Sequence, residues 1–217
     1  MRELTYCQAL NEALHQIMEN DESVILIGQG VTSPWYVGNT YNGLFDRFGE
    51  KRVIDTPVSE NGITGMSVGM AISGMRPILV FPRMDFMCYA MDPIINQAAK
   101  WSYMSAGRAN VPIVFWAIIN NGGCQGPQHS QDFTWLFERI PGLKMCNPQT
   151  PYEVKGGLIA AVQDPNPVVF IDHRGRYDKV GEVPTYFYTD DLIKDNEGCP
   201  IPTSEPLERQ YFERYGQ

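Results

Sequence analysis

Thr56-Pro-Val-Ser-Glu-Asn-Gly-Ile-Thr-Gly-Met-Ser-Val-Gly-Met-Ala-Ile-Ser-Gly74 lies between two short apolar runs, Arg52-Val-Ile-Asp55 and Arg76-Pro-Ile-Leu-Val-Phe81. The flanking runs read as buried strands, and the stretch between them as a helix with Ser59 at its cap. Gly62, Gly65 and Gly69 leave almost no side chain on one face of that helix. Each glycine costs roughly 1 kcal/mol against alanine, so a close approach by something else must offset them. Glu60 stands in the first turn, where the helix dipole favours an anion. On spacing alone this is a first-turn carboxylate on a small-residue packing helix.

The same alternation continues outward in both directions. Residues 4–19 carry Leu10, Leu14, Ile17 and Met18 at helical spacing, with Glu12, His15 and Gln16 largely off that stripe. Val24-Ile-Leu-Ile27, ended by Gly28, reads as a strand inside a parallel sheet. Residues 29–41 read as loop and 43–49 as a short helix. Residues 84–104 read as a longer helical region interrupted at Pro93. Pro112-Ile-Val-Phe-Trp-Ala-Ile-Ile119 reads as a long buried strand running into the Gly-rich loop Asn120-Asn-Gly-Gly-Cys-Gln-Gly-Pro127. A short helix (132–137), a strand (143–146), a helix (150–162) and a last strand (168–171) follow. Strands apolar on both faces, alternating with helices, predict an α/β fold: an open, mostly parallel sheet with helices on both faces.

A net charge of −8 excludes a general nucleic-acid binder, which needs a surplus of Lys and Arg. The five cysteines are odd in number and lack C-x-x-C spacing, so they read as reduced thiols in a cytoplasmic protein. No apolar run approaches the roughly 20 residues that span a bilayer, and no signal peptide is visible after Met1. Of the three histidines, His15 sits on a surface helix and His173 follows the last strand. His129 ends the Gly-rich loop, where an imidazole can exchange a proton near neutral pH.

Pro57-Val-Ser-Glu-Asn-Gly-Ile-Thr-Gly65 resembles the Glu-bearing motif of the β subunit of thiamine-diphosphate-dependent 2-oxoacid dehydrogenase first components, the transketolase-like pyrimidine-binding domain. The resemblance runs from about Leu4 to Pro184. It recurs in order at Val24-Ile-Leu-Ile-Gly28, Arg52-Val-Ile-Asp-Thr-Pro57, Gly74-Met-Arg-Pro77, Gln97-Ala-Ala-Lys100, Gln128-His-Ser-Gln131, Pro141-Gly-Leu-Lys144 and Asp164-Pro-Asn-Pro167. Each motif is weak alone; the shared order makes the set specific.

This resemblance implies thiamine diphosphate as cofactor, shared with a separate α-like diphosphate-binding chain in an α2β2 assembly. Thiamine chemistry asks of the protein one carboxyl against the pyrimidine ring, an apolar ring sandwich and exclusion of water. The resemblance gives Glu60 the first task. It makes Phe86 the aromatic ring on the pyrimidine, with Tyr89 one helical turn on. His129, in the His-Ser-Gln motif, would bind substrate and do acid–base work. The implied reaction is decarboxylation of a 2-oxoacid such as pyruvate, followed by transfer of the acyl or aldehyde unit. A transketolase-like carboligase on ketose phosphates and a non-catalytic scaffold subunit are the alternatives. Retention of both Glu60 and His129 speaks against the scaffold.

The resemblance also implies a potassium ion on the backbone carbonyls of Ile113, Ala161, Val162, Asp164 and Asn166. Magnesium would belong to the partner chain, because the Gly-Asp-Gly and Asn motif of the diphosphate site is absent here. Two departures stand out. Gln29 is neutral where related β subunits carry a Glu facing the cofactor. After a pyrimidine-binding domain over residues 1–184, residues 185–217 read as an arm ordered by a partner, not as the second α/β domain of the family. Tyr186, Phe187, Tyr188, Tyr211, Phe212 and Tyr215 would be its anchors, and the protein would then work outside a dehydrogenase megacomplex.

Overall fold

The computed structural model describes residues 2–33, 36–123 and 125–186. In chain order the elements are β1 (Arg2–Thr5), α1 (Tyr6–Asn20), β2 (Val24–Gly28), a 3-10 turn (Tyr36–Asn39), α2 (Leu44–Phe48) and β3 (Val53–Asp55). Then come α3 (Glu60–Ile72), β4 (Arg76–Phe81), a 3-10 turn (Met84–Ala90), a π turn (Pro93–Ala98) and α4 (Ala99–Met104). The rest is β5 (Val114–Ile119), a 3-10 turn (Pro127–His129), α5 (Thr134–Phe137), β6 (Lys144–Cys146), α6 (Pro151–Gln163), β7 (Val168–His173), a 3-10 turn (Arg174–Arg176) and β8 (Val180–Val183).

Six strands form one wholly parallel sheet in the order β3-β2-β4-β5-β7-β6. Alternate residues of each strand feed two cores. Leu26, Ile78, Val80, Val114, Trp116 and Phe170 face α1 and α6, which pack together on one side. Ile27, Leu79, Phe81, Phe115, Ala117 and Ile171 face α3, the 84–98 turns and α4 on the other. This is the expected α/β sheet with helices on both faces, and burial on both sides explains why its strands lack polar alternation.

Local chemistry accounts for several boundaries. The helix expected over residues 4–19 begins only at Tyr6. Arg2–Thr5 is instead a strand, paired antiparallel with β8 in a separate two-stranded sheet. Thr5 ends that strand and caps α1: its hydroxyl accepts from the Gln8 amide at 3.1 Å, and the Gln8 side chain accepts from the Thr5 amide at 2.9 Å. Thr150 caps α6 through the Glu153 amide at 3.2 Å, with Pro151 in the first turn. Ser59 occupies the cap position of α3, but its side chain makes no capping hydrogen bond. The interruption expected at Pro93 is a wide π turn, since proline offers no amide to the preceding turn.

One buried polar cluster crosses the α1–α6 core. Asp172 is fully buried, and one of its oxygens accepts from Trp116 Nε1 at 3.0 Å and Tyr177 Oη at 2.7 Å. Burial pushes its carboxyl up to about 6, with those two hydrogen bonds pulling the other way. Lys155, also fully buried, bonds to Glu12 and to the carbonyls of Pro184 and Thr185 at 2.8 and 2.7 Å. The arm expected from residue 185 lies outside the described residues beyond Tyr186, as do its anchors Phe187, Tyr188, Tyr211, Phe212 and Tyr215. No helix among the described residues is long and apolar enough to cross a membrane.

Candidate active site

Every strand of the six-stranded sheet runs the same way, so the segments after β2, β3, β4 and β5 all emerge at one edge. The chain leaves β2 toward β3 on one side and leaves β4 toward β5 on the other. Adjacent strands with connections diverging in this way open a crevice outside their carboxyl ends. A small cleft sits there, lined by Gly28 and Gln29 after β2, by Thr56, Glu60, Ile63 and Thr64, and by Leu79, Val80, Phe81 and Pro82. Gly28 has φ of +153°, and a Cβ there would lie 2.7 Å from the Val80 carbonyl oxygen. Glycine therefore lets β2 and β4 close up beneath the cleft.

Glu60 opens α3 at the rim of this cleft, half-buried. Gln29 donates its side-chain amide to Glu60 Oε1 at 3.3 Å. A neutral donor therefore faces the carboxyl where a second acid would have coupled to it. Behind Gln29, Asp55 at the end of β3 accepts from the Gly30 amide at 2.9 Å and from the Thr32 hydroxyl at 2.6 Å, tying down the loop that follows β2.

Phe86 and His129 come from segments 43 residues apart and meet in space. Their rings pack edge to face, with centroids 5.2 Å apart and planes at 87°. Phe86 sits in the turn after β4, and His129 closes the loop after β5. None of Phe86, Tyr89 and His129 is among the residues lining the small cleft beside Glu60, and the Tyr89 side chain is 71% exposed.

Sequence reading missed the groups that hold the His129 loop. Arg83 is almost fully buried and donates to the Gln125 side-chain oxygen through Nε at 2.8 Å and again through Nη2. Asn120 donates to the same oxygen at 2.9 Å. Asp85 accepts from the Gln131 backbone amide at 3.3 Å and its side-chain amide at 2.8 Å. The available signal was the pair of opposite charges in Arg83-Met-Asp-Phe86, just after an apolar strand and set to be buried. His173, in register with Ile119 across β5 and β7, also reaches this edge. Burial and then Arg176 lower its pKa, with Asp132 opposing.

The five carbonyls expected around a potassium ion lie near the C-terminus of α6 and the β5 entrance. Arg76 Nη1 already donates to the carbonyls of Val162 at 2.7 Å and Asp164 at 3.4 Å. The Ile113 carbonyl accepts from the Val168 amide at 2.9 Å. The Asp164 side chain is taken by Lys144 at 2.5 Å and by the Asn166 amide at 2.8 Å.

Comparison with known proteins follows the same lines. The family model described as transketolase, pyrimidine binding domain, matches residues 2–179. The acetoin:2,6-dichlorophenolindophenol oxidoreductase subunit beta of Cupriavidus necator is 40% identical over 218 residues, covering 93% of this chain and 64% of that protein. The mitochondrial pyruvate dehydrogenase E1 component subunit beta-1 of Oryza sativa is 43% identical over 176 residues, covering 81% of this chain and 47% of that protein. This chain thus spans about half to two thirds of the length of these curated relatives. Among solved structures, a split gene transketolase described as an inactive beta4 tetramer superposes with a TM-score of 0.62 at 15% identity, over 86% of this chain and 55% of that one. A transketolase from Leishmania mexicana gives the same score at 16% identity, over 80% of this chain and 26% of its own. These two structures establish the shared fold; the sequence matches bear out the resemblance to E1-type β subunits, and the chain belongs to the transketolase pyrimidine-binding domain family.

Proposed function

We propose that the chain is the pyrimidine-binding, β-type subunit of a two-chain thiamine-diphosphate enzyme that decarboxylates a 2-oxoacid such as pyruvate and transfers the acyl or aldehyde unit. The observation that carries this reading is the Glu60 carboxyl at the rim of an apolar-walled cleft, at the point where the strand order diverges. One carboxyl, apolar walls and a nearby aromatic ring are the set that a pyrimidine ring takes, so the residues fit the cofactor.

When bound, thiamine diphosphate supplies the electron sink that a 2-oxoacid needs to lose carbon dioxide. Glu60 would hold a proton at a nitrogen of the pyrimidine ring, and Gln29 would keep that carboxyl oriented. Phe86 would cover the ring face, while Ile63, Leu79 and Pro82 would keep water from the cleft. His129, braced on Phe86, would exchange a proton with an oxygen of the substrate.

The outward face of α3 supports a partner chain. A Cβ built at Gly65 or Gly69 meets nothing within 4 Å, so none of the described residues makes the close approach that those glycines permit. Val58 is 76% and Met66 49% exposed beside them, and Met75 is 40% exposed where α3 gives way to β4. The proposed occupant is the α-like diphosphate-binding subunit, in an α2β2 assembly, with magnesium on that subunit's side. Potassium remains a proposal. The carbonyls of Val162 and Asp164 would have to offer it their second lone pairs, beside the Arg76 guanidinium. A cytoplasmic location would accord with the thiols: Cys7, Cys88 and Cys146 are not in disulfides.

The test is co-expression with a diphosphate-binding chain and measurement of carbon dioxide release from pyruvate and other 2-oxoacids, with a redox dye as acceptor. Turnover should need both chains and thiamine diphosphate, and this chain alone should be inactive. Turnover on ketose phosphates instead, or none on any 2-oxoacid in a correctly assembled complex, would overturn the reading.

A further inference from the structure

We propose that Arg83 and Asp85 are positioning residues for His129, clasping its loop on both sides from the single turn that also carries Phe86. The inference deepens the functional reading above and rests on it for the role of His129.

In the Gly-rich segment after β5, Gly122 and Gly126 take φ values of +85° and +90°, and a Cβ built at either meets nothing within 4 Å. Besides its own turns, the segment is held by contacts near its end. Four residues before His129, the Gln125 side-chain oxygen accepts from two nitrogens of the Arg83 guanidinium and from Asn120. Two residues after it, Gln131 gives both its backbone and its side-chain amide to one oxygen of Asp85. Arg83 and Asp85 are 7% and 8% exposed, so both anchor points are themselves held by the core. Between them the imidazole packs in a T-shape with the Phe86 ring.

Three contacts on His129 and its flanks thus originate within four consecutive residues. The turn Arg83–Phe86 is in turn fixed by the end of β4 and by the Phe86 amide, which donates to the Arg83 carbonyl at 3.1 Å. Such an arrangement transmits the rigidity of the sheet to a loop side chain, and a displacement of about 1 Å at a reacting group can lower a rate by about 100-fold. The Arg83 guanidinium suits its side of the clasp, since hydrogen bonds from a charged donor are stronger than neutral ones. The second Asp85 oxygen accepts nothing, so an amide in its place loses no bond.

The test has a structural and a kinetic arm. In the full chain labelled with 13C at the histidine ring, Asp85→Ala and Gln131→Ala should move and broaden the His129 resonances, because the ring leaves its place beside Phe86. Asp85→Asn should restore them. Gln131 is exposed, so its variant keeps the proposal testable if Asp85→Ala does not fold. In the assembled two-chain enzyme, Asp85→Ala and Gln131→Ala should lower kcat by about tenfold to 100-fold with cofactor affinity unchanged. Neither should add to the loss already caused by His129→Ala. Unchanged His129 resonances in both variants, or losses that multiply with His129→Ala, would overturn the proposal. Moved resonances with full activity in His129→Ala would leave the clasp standing and remove the functional reading.

Discussion

Phe86 and His129 meet edge to face at 5.2 Å between ring centroids, the imidazole ending one sheet-edge loop and the phenyl ring standing in the next. His129→Ala is expected to leave thiamine diphosphate affinity nearly unchanged while slowing a step that involves substrate. Cofactor titration and single-turnover decarboxylation, measured separately on the assembled enzyme, check this. Normal rates in both would return His129 to a packing role.

Glu60→Gln keeps the shape of the side chain and its hydrogen bond to Gln29 but removes the ionisable group. Turnover is expected to fall about 100-fold or more, the range for a lost acid–base partner. Steady-state assay of the co-expressed pair decides it, and near-normal turnover would sink the assignment.

Gly65→Leu and Gly69→Leu should leave this chain folded, because none of the described residues lies within 4 Å of either added Cβ. Assembly with the diphosphate-binding chain should be lost or strongly weakened. Circular dichroism and light scattering on the co-expressed pair distinguish the two effects. Unimpaired assembly would move the partner surface elsewhere.

Asp172 makes a pH-dependent prediction with a defined sign. Its carboxyl lies near 3.8 when unfolded and at about 6 when folded, so the folded state holds the proton more tightly. Its contribution to stability is complete below the unfolded value and is lost as pH rises through about 6. Asp172→Asn keeps an acceptor for Trp116 and Tyr177 without the ionisation. The stability of Asp172→Asn relative to the native chain should therefore rise between pH 4 and pH 7, by roughly 3 kcal/mol at most. Urea unfolding of both proteins across that range measures it. A constant difference would show that Asp172 is not the titrating group.

A potassium ion on the α6 carbonyls should raise the thermal midpoint in potassium chloride above that in choline chloride at equal ionic strength, with sodium intermediate. Equal midpoints in all three salts would leave Arg76 as the cation that serves those carbonyls.

Much of this molecule was legible from residues near one another in the chain. Runs such as Val24–Gly28 and Val168–His173 are apolar throughout because both sheet faces are covered, and that pattern needs no knowledge of the neighbours. Glu60 could be placed in a first helical turn for the same reason. What only the tertiary structure decided depends on pairings that local pattern does not encode. Leu4 and Thr5 looked like the start of a helix because the partner of their strand, Val180–Val183, lies some 180 residues away. Tyr89 looked like a neighbour of Phe86 in the pocket, and the packing around the turn leaves it on the surface. Arg83 and Asp85 drew no reading from the sequence; their meaning depends on Gln125 and Gln131, which the parallel register of β4 and β5 brings to the same edge. Hydrophobic period is a property of a segment, whereas a hydrogen-bonded clasp is a property of two segments and of the sheet that aligns them.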